Sequence, residues 1–225
     1  MRNIKLFIVI SLAFVSLAGY ARSKKIDISV SENDAIIYAN GENMGQGRVT
    51  LVILSYRDLT VEVRKQGYLT MRKVFHNKPG FPKPPRTYYF EMEKDDSFEA
   101  SLKTDRANLD FTIVVNPKLN ETEAWKLATQ IVTDYFDAIE VSDKETSYMR
   151  TSWSVQSFKQ NTIRTRFIIK LGDSDPLTYK IKLVSEESGH PETSVKADEK
   201  YKEWDRVLRR YKNIITDFSS RMGEK

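Results

Sequence analysis

The sequence predicts a small all-β module followed by an α+β module of the order β-α-β-β-β-α, whose antiparallel sheet carries its helices on one face. Residues 25–93 contain short alternating apolar runs and no helix-length apolar stripe. Residues 120–139 and 196–221 have apolar residues at helical spacing, and three alternating runs separate these two segments. We therefore expect a β module at residues 22–94 and a helix-over-sheet module at residues 109–225.

The composition excludes several kinds of chemistry. The chain has 225 residues, with 36 lysines and arginines, 31 aspartates and glutamates, two histidines and no cysteine. Without cysteine there is no disulfide framework, thiolate zinc site, cysteine nucleophile or lipid-bearing cysteine. His76 and His190 leave little room for a histidine-based metal site or catalytic triad. No nucleophile elbow, phosphate loop or dinucleotide-binding glycine run is present. We expect a protein without enzymatic activity, metal or cofactor.

The N-terminus has the pattern of a secretory signal. Arg2 and Lys5 precede an apolar stretch at residues 6–18, and the small residues Gly19 and Ala21 then occupy the −3 and −1 positions of a cleavage site. A spanning helix needs about 20 apolar residues, so a retained anchor is the less favoured alternative. We expect residues 1–21 to be a signal peptide. The exported protein would then be periplasmic or at the cell surface, with no transmembrane span and no lipid anchor.

The strands of the β module follow from alternation and turn residues. Ile26, Ile28 and Val30 alternate with polar residues. Asn40-Gly41 favours positive φ and predicts a hairpin turn after the run at residues 35–38. Further apolar runs predict strands at residues 49–54, 59–63, 69–75 and 88–92.

Two polar segments interrupt this pattern. Residues 77–86 hold four of the seven prolines and predict a stiff, partly polyproline loop at the surface. Residues 95–108 are polar and charged, and we interpret them as the linker between the modules. A short edge strand through Phe98 and Leu102 is the alternative for this segment.

The second module begins with a strand at residues 109–115, which Asn116-Pro117 ends. Asn120, followed by acidic residues, predicts a helix start, and an apolar stripe from Trp125 to Ile139 predicts the buried helix face. Three alternating strands follow, at residues 149–155, 163–171 and 177–183.

The most regular pattern in the chain is at its C-terminus. Apolar residues spaced by three and four predict a helix from about residue 196 to residue 221. Its large aromatic side chains favour a helix packed on its own sheet, and docking of a partner or of a second copy is the alternative. The predicted seam consists of Tyr201, Trp204, Leu208, Tyr211, Ile215 and Phe218.

Two motifs in the first module resemble those of PEGA domains. The run from Ala35 to Gly45 contains Tyr38-Ala39-Asn40-Gly41 and a second glycine shortly after it. The alternating strand from Leu59 ends in Gly67-Tyr68. The family's Thr-Pro-Leu is replaced here by residues 46–49. The resemblance covers about residues 26–93 and implies an envelope β module with no chemistry of its own.

The second module resembles, more weakly, the repeated domain of BamC-like envelope assembly proteins. The resemblance rests on a helix that begins near a tryptophan and on two strand motifs. The matching residues are Trp125, Asp143, Tyr148, Thr151, Trp153, Arg164, Arg166, Phe167 and Ile169. The lipid attachment of those proteins does not apply, because this chain has no cysteine.

The first candidate binding surface lies in the β module. From Val63 to Phe90 there are seven basic residues and no acidic one, with aromatic residues interleaved. Basic and aromatic side chains together suit acidic polymers, since rings stack on sugars or bases and cations attract anions. A solvated hairpin with core aromatics is the alternative. The predicted binding residues are Arg64, Lys65, Tyr68, Arg72, Lys73, Phe81 and Arg86.

The second candidate surface is the sheet face of the α+β module that points away from the core. Like charges on neighbouring strands repel and need anionic neighbours. Acidic side chains of this chain or an external acidic partner would supply them, and a plain solvent-facing sheet is the alternative. The cations of this face are Arg150, Arg164, Arg166, Lys170, Lys180 and Lys182.

These observations predict an exported, non-enzymatic envelope protein that binds or scaffolds. The expected ligand is an anionic envelope glycan, peptidoglycan or lipid head group, and export argues against a nucleic acid. The alternative is a subunit of an envelope complex that docks partner proteins through the C-terminal helix seam and the sheet edges.

Overall fold

The computed structural model describes residues 23–223, which form two compact units. Within the described residues, unit 1 comprises residues 23–65 and 70–92, and unit 2 comprises residues 66–69 and 93–223. The predicted signal peptide at residues 1–21 lies outside the described residues. No helix in the described part of the chain is long and apolar enough to cross a membrane.

Unit 1 is built from two small sheets. The strands are β1 (Lys24–Val30), β2 (Ile36–Ala39), β3 (Glu42–Gln46), β4 (Arg48–Ile53), β5 (Asp58–Arg64), β6 (Met71–His76) and β7 (Thr87–Phe90). The three-stranded sheet has the order β4-β1-β7, and the four-stranded sheet has the order β3-β2-β5-β6. All pairs are antiparallel except β1 with β7.

Alternation determines which side chains fill the core of unit 1. In β5, Leu59, Val61 and Val63 are buried, and the residues between them are not. The predicted hairpin turn is confirmed, since Asn40 and Gly41 join β2 to β3 with φ of 50° and 90°.

A second glycine fixes the connection from β3 to β4. Gly47 has φ of +65°, its N–H donates to the Ala35 carbonyl at 3.0 Å, and its carbonyl accepts from Val30 N at 3.0 Å. A Cβ at this position would lie 2.6 Å from the Asn33 carbonyl oxygen. Both the backbone conformation and the space therefore require glycine.

Unit 2 combines three α-helices and two short 3-10 helices with a larger antiparallel sheet. Its α-helices are α1 (Asp96–Glu99), α2 (Glu121–Thr133) and α3 (Ile214–Met222), and its 3-10 helices are Asp198–Lys200 and Arg209–Tyr211. Its strands are β8 (Ser101–Lys103), β9 (Asp110–Val114), β10 (Ile139–Asp143), β11 (Tyr148–Thr151), β12 (Ser154–Ser157), β13 (Thr162–Ser174), β14 (Leu177–Glu187), β15 (Lys202–Glu203) and β16 (Arg206–Leu208). The main path is β10-β11-β13-β14-β15, with β12 on β13 and β9 on β14, while β8 pairs with β16 separately.

Helices α2 and α3 of unit 2 pack on one face of the main sheet. Phe167 of β13 stacks on Phe218 of α3 at 5.1 Å, and Tyr179 of β14 packs against Trp125 of α2 at 6.2 Å between ring centroids. The predicted helix start is confirmed, because Asn120 caps α2 in a reciprocal capping box with Glu123. The chain is thus rich in antiparallel strands and has few helices, as the sequence predicts at this coarse level.

The segment predicted as a linker, residues 95–108, instead contains α1 and β8. Asp95 caps α1 by accepting bonds from Ser97 N at 2.9 Å and Phe98 N at 3.2 Å. Leu102 of β8 lies opposite Val207 of β16, so the alternative of a short strand is confirmed at Leu102 but not at Phe98, which lies in α1. The polar composition of residues 95–108 predicts a linker. It does not reveal β8, because this short strand forms only by pairing with a segment about 100 residues later.

The helix predicted from residue 196 to residue 221 is wrong over most of its length. Only α3 is α-helical, and the preceding chain pairs with β14 and β8 as β15 and β16. Asn108 Nδ2 donates to the Trp204 carbonyl at 3.0 Å, and Ser185 Oγ donates to the Arg206 carbonyl at 2.8 Å. These tertiary hydrogen bonds hold the segment extended and override its helical periodicity.

Substitution of Gly47 tests the connection from β3 to β4. We expect Gly47→Ala to lower the free energy of unfolding of unit 1 by about 3 kcal/mol, because strain and a backbone clash add. Gly41→Ala is the matched control, since a Cβ there meets nothing within 4 Å, and it should cost about 1–2 kcal/mol. Urea unfolding followed by far-UV circular dichroism measures both, and equal losses would contradict the packing of Gly47 against Asn33.

Candidate functional site

Two of the residues predicted to bind a ligand in unit 1 are engaged in ion pairs. Arg64 Nε donates to Glu62 Oε1 at 2.5 Å, which raises the pKa of the Arg64 guanidinium. Lys65 Nζ lies 2.7 Å from Asp34 Oδ1 and 2.6 Å from Glu32 Oε2, and these two contacts raise the pKa of Lys65. Acidic side chains of unit 1 therefore already balance both charges.

The other predicted residues of this surface fall into two groups. Tyr68 belongs to unit 2, where it forms a β-bridge with Lys94. The remaining four lie exposed in unit 1: Arg72, Lys73, Phe81 and Arg86. Within the described residues of unit 1, no carboxylate forms an ion pair with the three cations of this group.

Positive charge is distributed unevenly between the two units. The described residues of unit 1 contain eleven lysines and arginines against seven aspartates and glutamates. Those of unit 2 contain 21 lysines and arginines against 23 aspartates and glutamates. The excess positive charge of the described chain is therefore in unit 1, where β6 and the proline-rich loop carry five cations and no carboxylate.

A groove of about 300 Å³ lies between β6 and the proline-rich loop. Lys73 of β6 and Lys83 of the loop both line it, although they are ten residues apart in the sequence. Its other lining residues include Phe75, Tyr88 and the prolines of the loop. The groove thus combines two lysines with aromatic and proline rings in one concave surface.

The aromatic wall of this groove has a fixed orientation. Tyr88 makes edge contacts with Phe75 at 5.2 Å and with Phe90 at 4.9 Å between ring centroids. Phe75 and Phe90 are buried in the core of unit 1. Lys73 Nζ lies 6.0 Å from the Tyr88 centroid, so the cation lies beside a ring that the core holds in place.

Asp58 holds the start of the proline-rich loop. Its carboxylate lies 2.7 Å from His76 Nδ1 and accepts a hydrogen bond from Lys78 Nζ at 2.9 Å. Phe81 packs on His76 at 4.2 Å between ring centroids, and Lys78 Nζ lies 4.8 Å from the Phe81 ring. The bond from Lys78, followed by that of His76, lowers the pKa of Asp58. The loop therefore leaves β6 through a defined set of polar and aromatic contacts.

On the second predicted surface, the sheet face of unit 2, Arg164 is buried with its charge satisfied. It forms an ion pair with Glu186 at 2.6 Å and with Asp198 at 2.5 Å, and it donates to the Val195 carbonyl at 2.7 Å. Its guanidinium also lies 4.2 Å from the Trp153 ring and 4.0 Å from the Tyr201 ring. Arg164 is therefore a structural residue of unit 2 rather than a ligand-binding residue.

The other cations of this face are less completely neutralised. Arg150 Nε lies 3.2 Å from Glu140, and Lys182 Nζ lies 3.6 Å from Asp110. Arg166 lies 4.0 Å from the Trp153 ring, and its Nε is buried without a hydrogen-bond partner. The remaining two, Lys170 and Lys180, are exposed and directly opposite each other on β13 and β14.

The residues of the predicted helix seam belong mostly to the core of unit 2. Five of the six are buried: Trp204, Leu208, Tyr211, Ile215 and Phe218. Tyr201 is half-buried, packs on Arg164 and donates from its hydroxyl to the Thr193 carbonyl at 3.0 Å. These side chains do not form an exposed helical seam, because they fill the space beneath the sheet instead.

Three residues that line the groove or hold its loop are absent from the predicted binding residues. Lys83 and Tyr88 line the groove with Lys73, and Asp58 holds the loop that forms one wall. Lys83 and Tyr88 lie in the acid-free run, so composition indicated the region. Their proximity to Lys73 depends on the path of the loop, which the sequence pattern does not determine.

Comparisons with known proteins assign neither a family nor a function to the chain. No protein family, curated protein or solved structure matched the chain. Among residues 23–223, no cluster of three or more histidine, cysteine, aspartate or glutamate side chains is arranged to hold a metal ion.

The pKa of Asp58 predicts how the stability of unit 1 depends on pH. Because this pKa is lowered in the folded state, the stabilisation is complete above the ordinary aspartate pKa of about 4 and is lost as the pH falls through the lowered value. We expect Asp58→Asn to be less stable than the wild type at pH 7 and to lose less further stability in acid. Urea midpoints at pH 7, 4 and 3 measure this. Glu91→Gln, an exposed control, should follow the wild type, and parallel curves for Asp58→Asn would contradict the assignment.

Removal of Arg164 tests its structural role in unit 2. Arg164→Ala leaves Glu186 without its buried partner, so we expect a loss of about 3 kcal/mol in the free energy of unfolding. Arg166→Ala is the matched control on the same strand face and should cost less than about 1 kcal/mol. All three tryptophans lie in unit 2, so their emission during urea unfolding reports this unit. Equal losses for the two variants would be inconsistent with the distinction.

Proposed function

We propose that the chain is an exported, non-enzymatic protein of the cell envelope that binds an anionic envelope glycan through unit 1. The groove between β6 and the proline-rich loop is the binding site, with Lys73 and Lys83 as its cations and Tyr88 as its aromatic wall. Arg72 of β6 and Arg86 of the loop are further exposed cations of unit 1, outside the residues that line the groove. The pattern of residues 1–21 supports export.

The observation that carries this proposal is the convergence of Lys73, Lys83 and Tyr88 in one groove. Neither lysine forms an ion pair with a carboxylate in the described part of unit 1, so both are available to an external anion. A ring held by Phe75 and Phe90 is suited to pack against the face of a sugar. Lysines beside that ring are suited to the carboxylate or phosphate groups of an acidic glycan.

The concave shape of the site favours a glycan over a lipid head group. A chain of sugar rings can lie along a groove walled by proline and tyrosine rings, whereas a membrane surface meets exposed residues on a convex or flat face. The rings of Pro82, Pro84 and Pro85 line the groove and lose little conformational entropy on binding, because proline is already restricted. Binding to a lipid head group is the alternative, and the cosedimentation experiment described below also measures it.

The sequence resemblances are consistent with this assignment. We propose that unit 1 is a PEGA-like module and that the α+β arrangement of unit 2 is related to the BamC-like domain. The Tyr38-Ala39-Asn40-Gly41 hairpin and the strand ending at Gly67-Tyr68 carry the first resemblance. These two family assignments are proposals, and the proposed glycan binding depends on the residues of the groove rather than on either motif.

Cosedimentation with purified cell-wall sacculi and with anionic vesicles tests the proposal. We expect the chain from Arg22 onward to pellet with sacculi at low salt and to be released at high salt, because exposed charges are screened. Lys73→Gln with Lys83→Gln should weaken pelleting about tenfold. The matched control, Lys118→Gln with Lys126→Gln, makes the same charge change at exposed positions of unit 2 and should pellet like the wild type.

Tyr88→Leu separates the role of the ring from that of charge. It retains an apolar side chain in the groove but removes the flat face, so we expect weaker pelleting with an unchanged salt dependence. Absence of pelleting at low salt, or equal loss in the Lys118/Lys126 control, would reject the groove as a glycan site. Pelleting with vesicles alone would transfer the assignment to lipid head groups.

A further inference from the structure

The strand register of unit 2 arranges four cations around one apolar residue. Ile168 of β13 is directly opposite Arg150 of β11 on one side and Lys182 of β14 on the other. Arg166 and Lys170 lie two residues before and after Ile168 on the same strand, and therefore on the same face. We call these four cations and Ile168 the cation ring.

The spacing of a sheet makes this ring compact. Neighbouring strands are about 4.8 Å apart, and alternate residues of one strand are about 6.7 Å apart. Each of the four cationic positions is thus within about 7 Å of Ile168 along the backbone. Lys180 is the direct neighbour of Lys170 and adds a fifth positive charge at the rim.

The carboxylates of unit 2 neutralise this ring only in part. Glu140 lies 3.2 Å from Arg150 Nε but outside hydrogen-bonding geometry, and Asp110 lies 3.6 Å from Lys182 Nζ. Among the described residues of unit 2, no carboxylate forms an ion pair with Arg166, Lys170 or Lys180. Glu186, the nearest acid on the Arg166 side, already binds Arg164.

Arg166 is the fixed element of the ring. Its guanidinium lies 4.0 Å from the Trp153 ring, which also contacts the buried Arg164 at 4.2 Å. The Nε atoms of Arg166 and of Arg150 are both buried and lack hydrogen-bond partners. Burial, followed by the neighbouring Arg150, lowers the pKa of Arg166, and the charges of Glu186 and Glu140 oppose this shift only in part. A buried donor without an acceptor costs free energy.

We propose that the cation ring binds a phosphate monoester group. Such a group carries nearly two negative charges at neutral pH and three acceptor oxygens, which match a ring of two arginines and two lysines. Arginine forks bond phosphate oxygens in pairs, and lysines add point charges from the other side. Ile168, at the centre, keeps the floor of the site apolar and strengthens each of these interactions.

The proposal is independent of the glycan groove, since it concerns unit 2 and a different ligand chemistry. It also explains why like charges occupy adjacent positions such as Lys170 and Lys180, which would otherwise repel across the ladder. The phosphate monoester would then be the anionic partner that this face requires.

Titration of the protein with inorganic phosphate, followed by tryptophan emission, tests the site. Trp125 and Trp204 are buried, whereas Trp153 is half-exposed against Arg166, so a change in emission reports the ring. We expect a saturable change that Arg150→Gln with Arg166→Gln weakens about tenfold or more. Lys118→Gln with Lys126→Gln and the groove variant Lys73→Gln with Lys83→Gln should leave the affinity unchanged.

A second variant and a second probe keep the test decisive. Lys170→Gln with Lys180→Gln changes only exposed side chains and should weaken binding about threefold without loss of fold. Phosphatidylcholine vesicles containing phosphatidic acid present the monoester on a lipid, and binding to them alone identifies a lipid source. Equal binding to vesicles containing phosphatidylglycerol, a diester, would reject the monoester. Absence of binding to both phosphate and phosphatidic acid would reject the site.

Discussion

The ion pairs and ring contacts of Arg164 organise the part of the outer sheet face of unit 2 that includes Glu186, Asp198, Trp153 and Tyr201. A buried guanidinium is tolerated because Glu186 and Asp198 balance its charge and the Val195 carbonyl accepts a further bond. Arg164 contacts Tyr201 and Asp198, both in the segment after β14. It also packs on the Trp153 ring, against which Arg166 lies. A surface with several unpaired cations is thus built around one cation that is fully paired.

Unit 1 separates its charges in a similar way. The cations on β5 and just after it are paired with acids of the same unit, and Asp58 uses His76 and Lys78 to hold the base of the proline-rich loop. The cations of β6 and of the loop tip have no acidic partner in the described part of this unit. Paired charges therefore hold the loop beside the groove, and the cations without an acidic partner are exposed to solvent.

Local patterns predicted the parts of the fold that depend on local interactions. The Asn40-Gly41 hairpin and the Asn120 capping box form as expected, because each is determined by a few adjacent residues. The C-terminal helix was wrong because the side chains of Asn108, in the turn before β9, and of Ser185 in β14 donate hydrogen bonds to the carbonyls of Trp204 and Arg206. The predicted binding residues included Arg64 and Lys65 because their ion pairs with Glu62, Glu32 and Asp34 depend on strand register and loop path rather than on composition.

The central claim is that a glycan occupies the groove between β6 and the proline-rich loop. Hydrogen–deuterium exchange with and without soluble fragments of an acidic cell-wall glycan tests it most directly. We predict slower exchange in residues 71–76 and 83–89, which carry Lys73, Lys83 and Tyr88, with little change elsewhere in unit 1. Unchanged exchange in these two segments at a glycan concentration that saturates binding would contradict the claim.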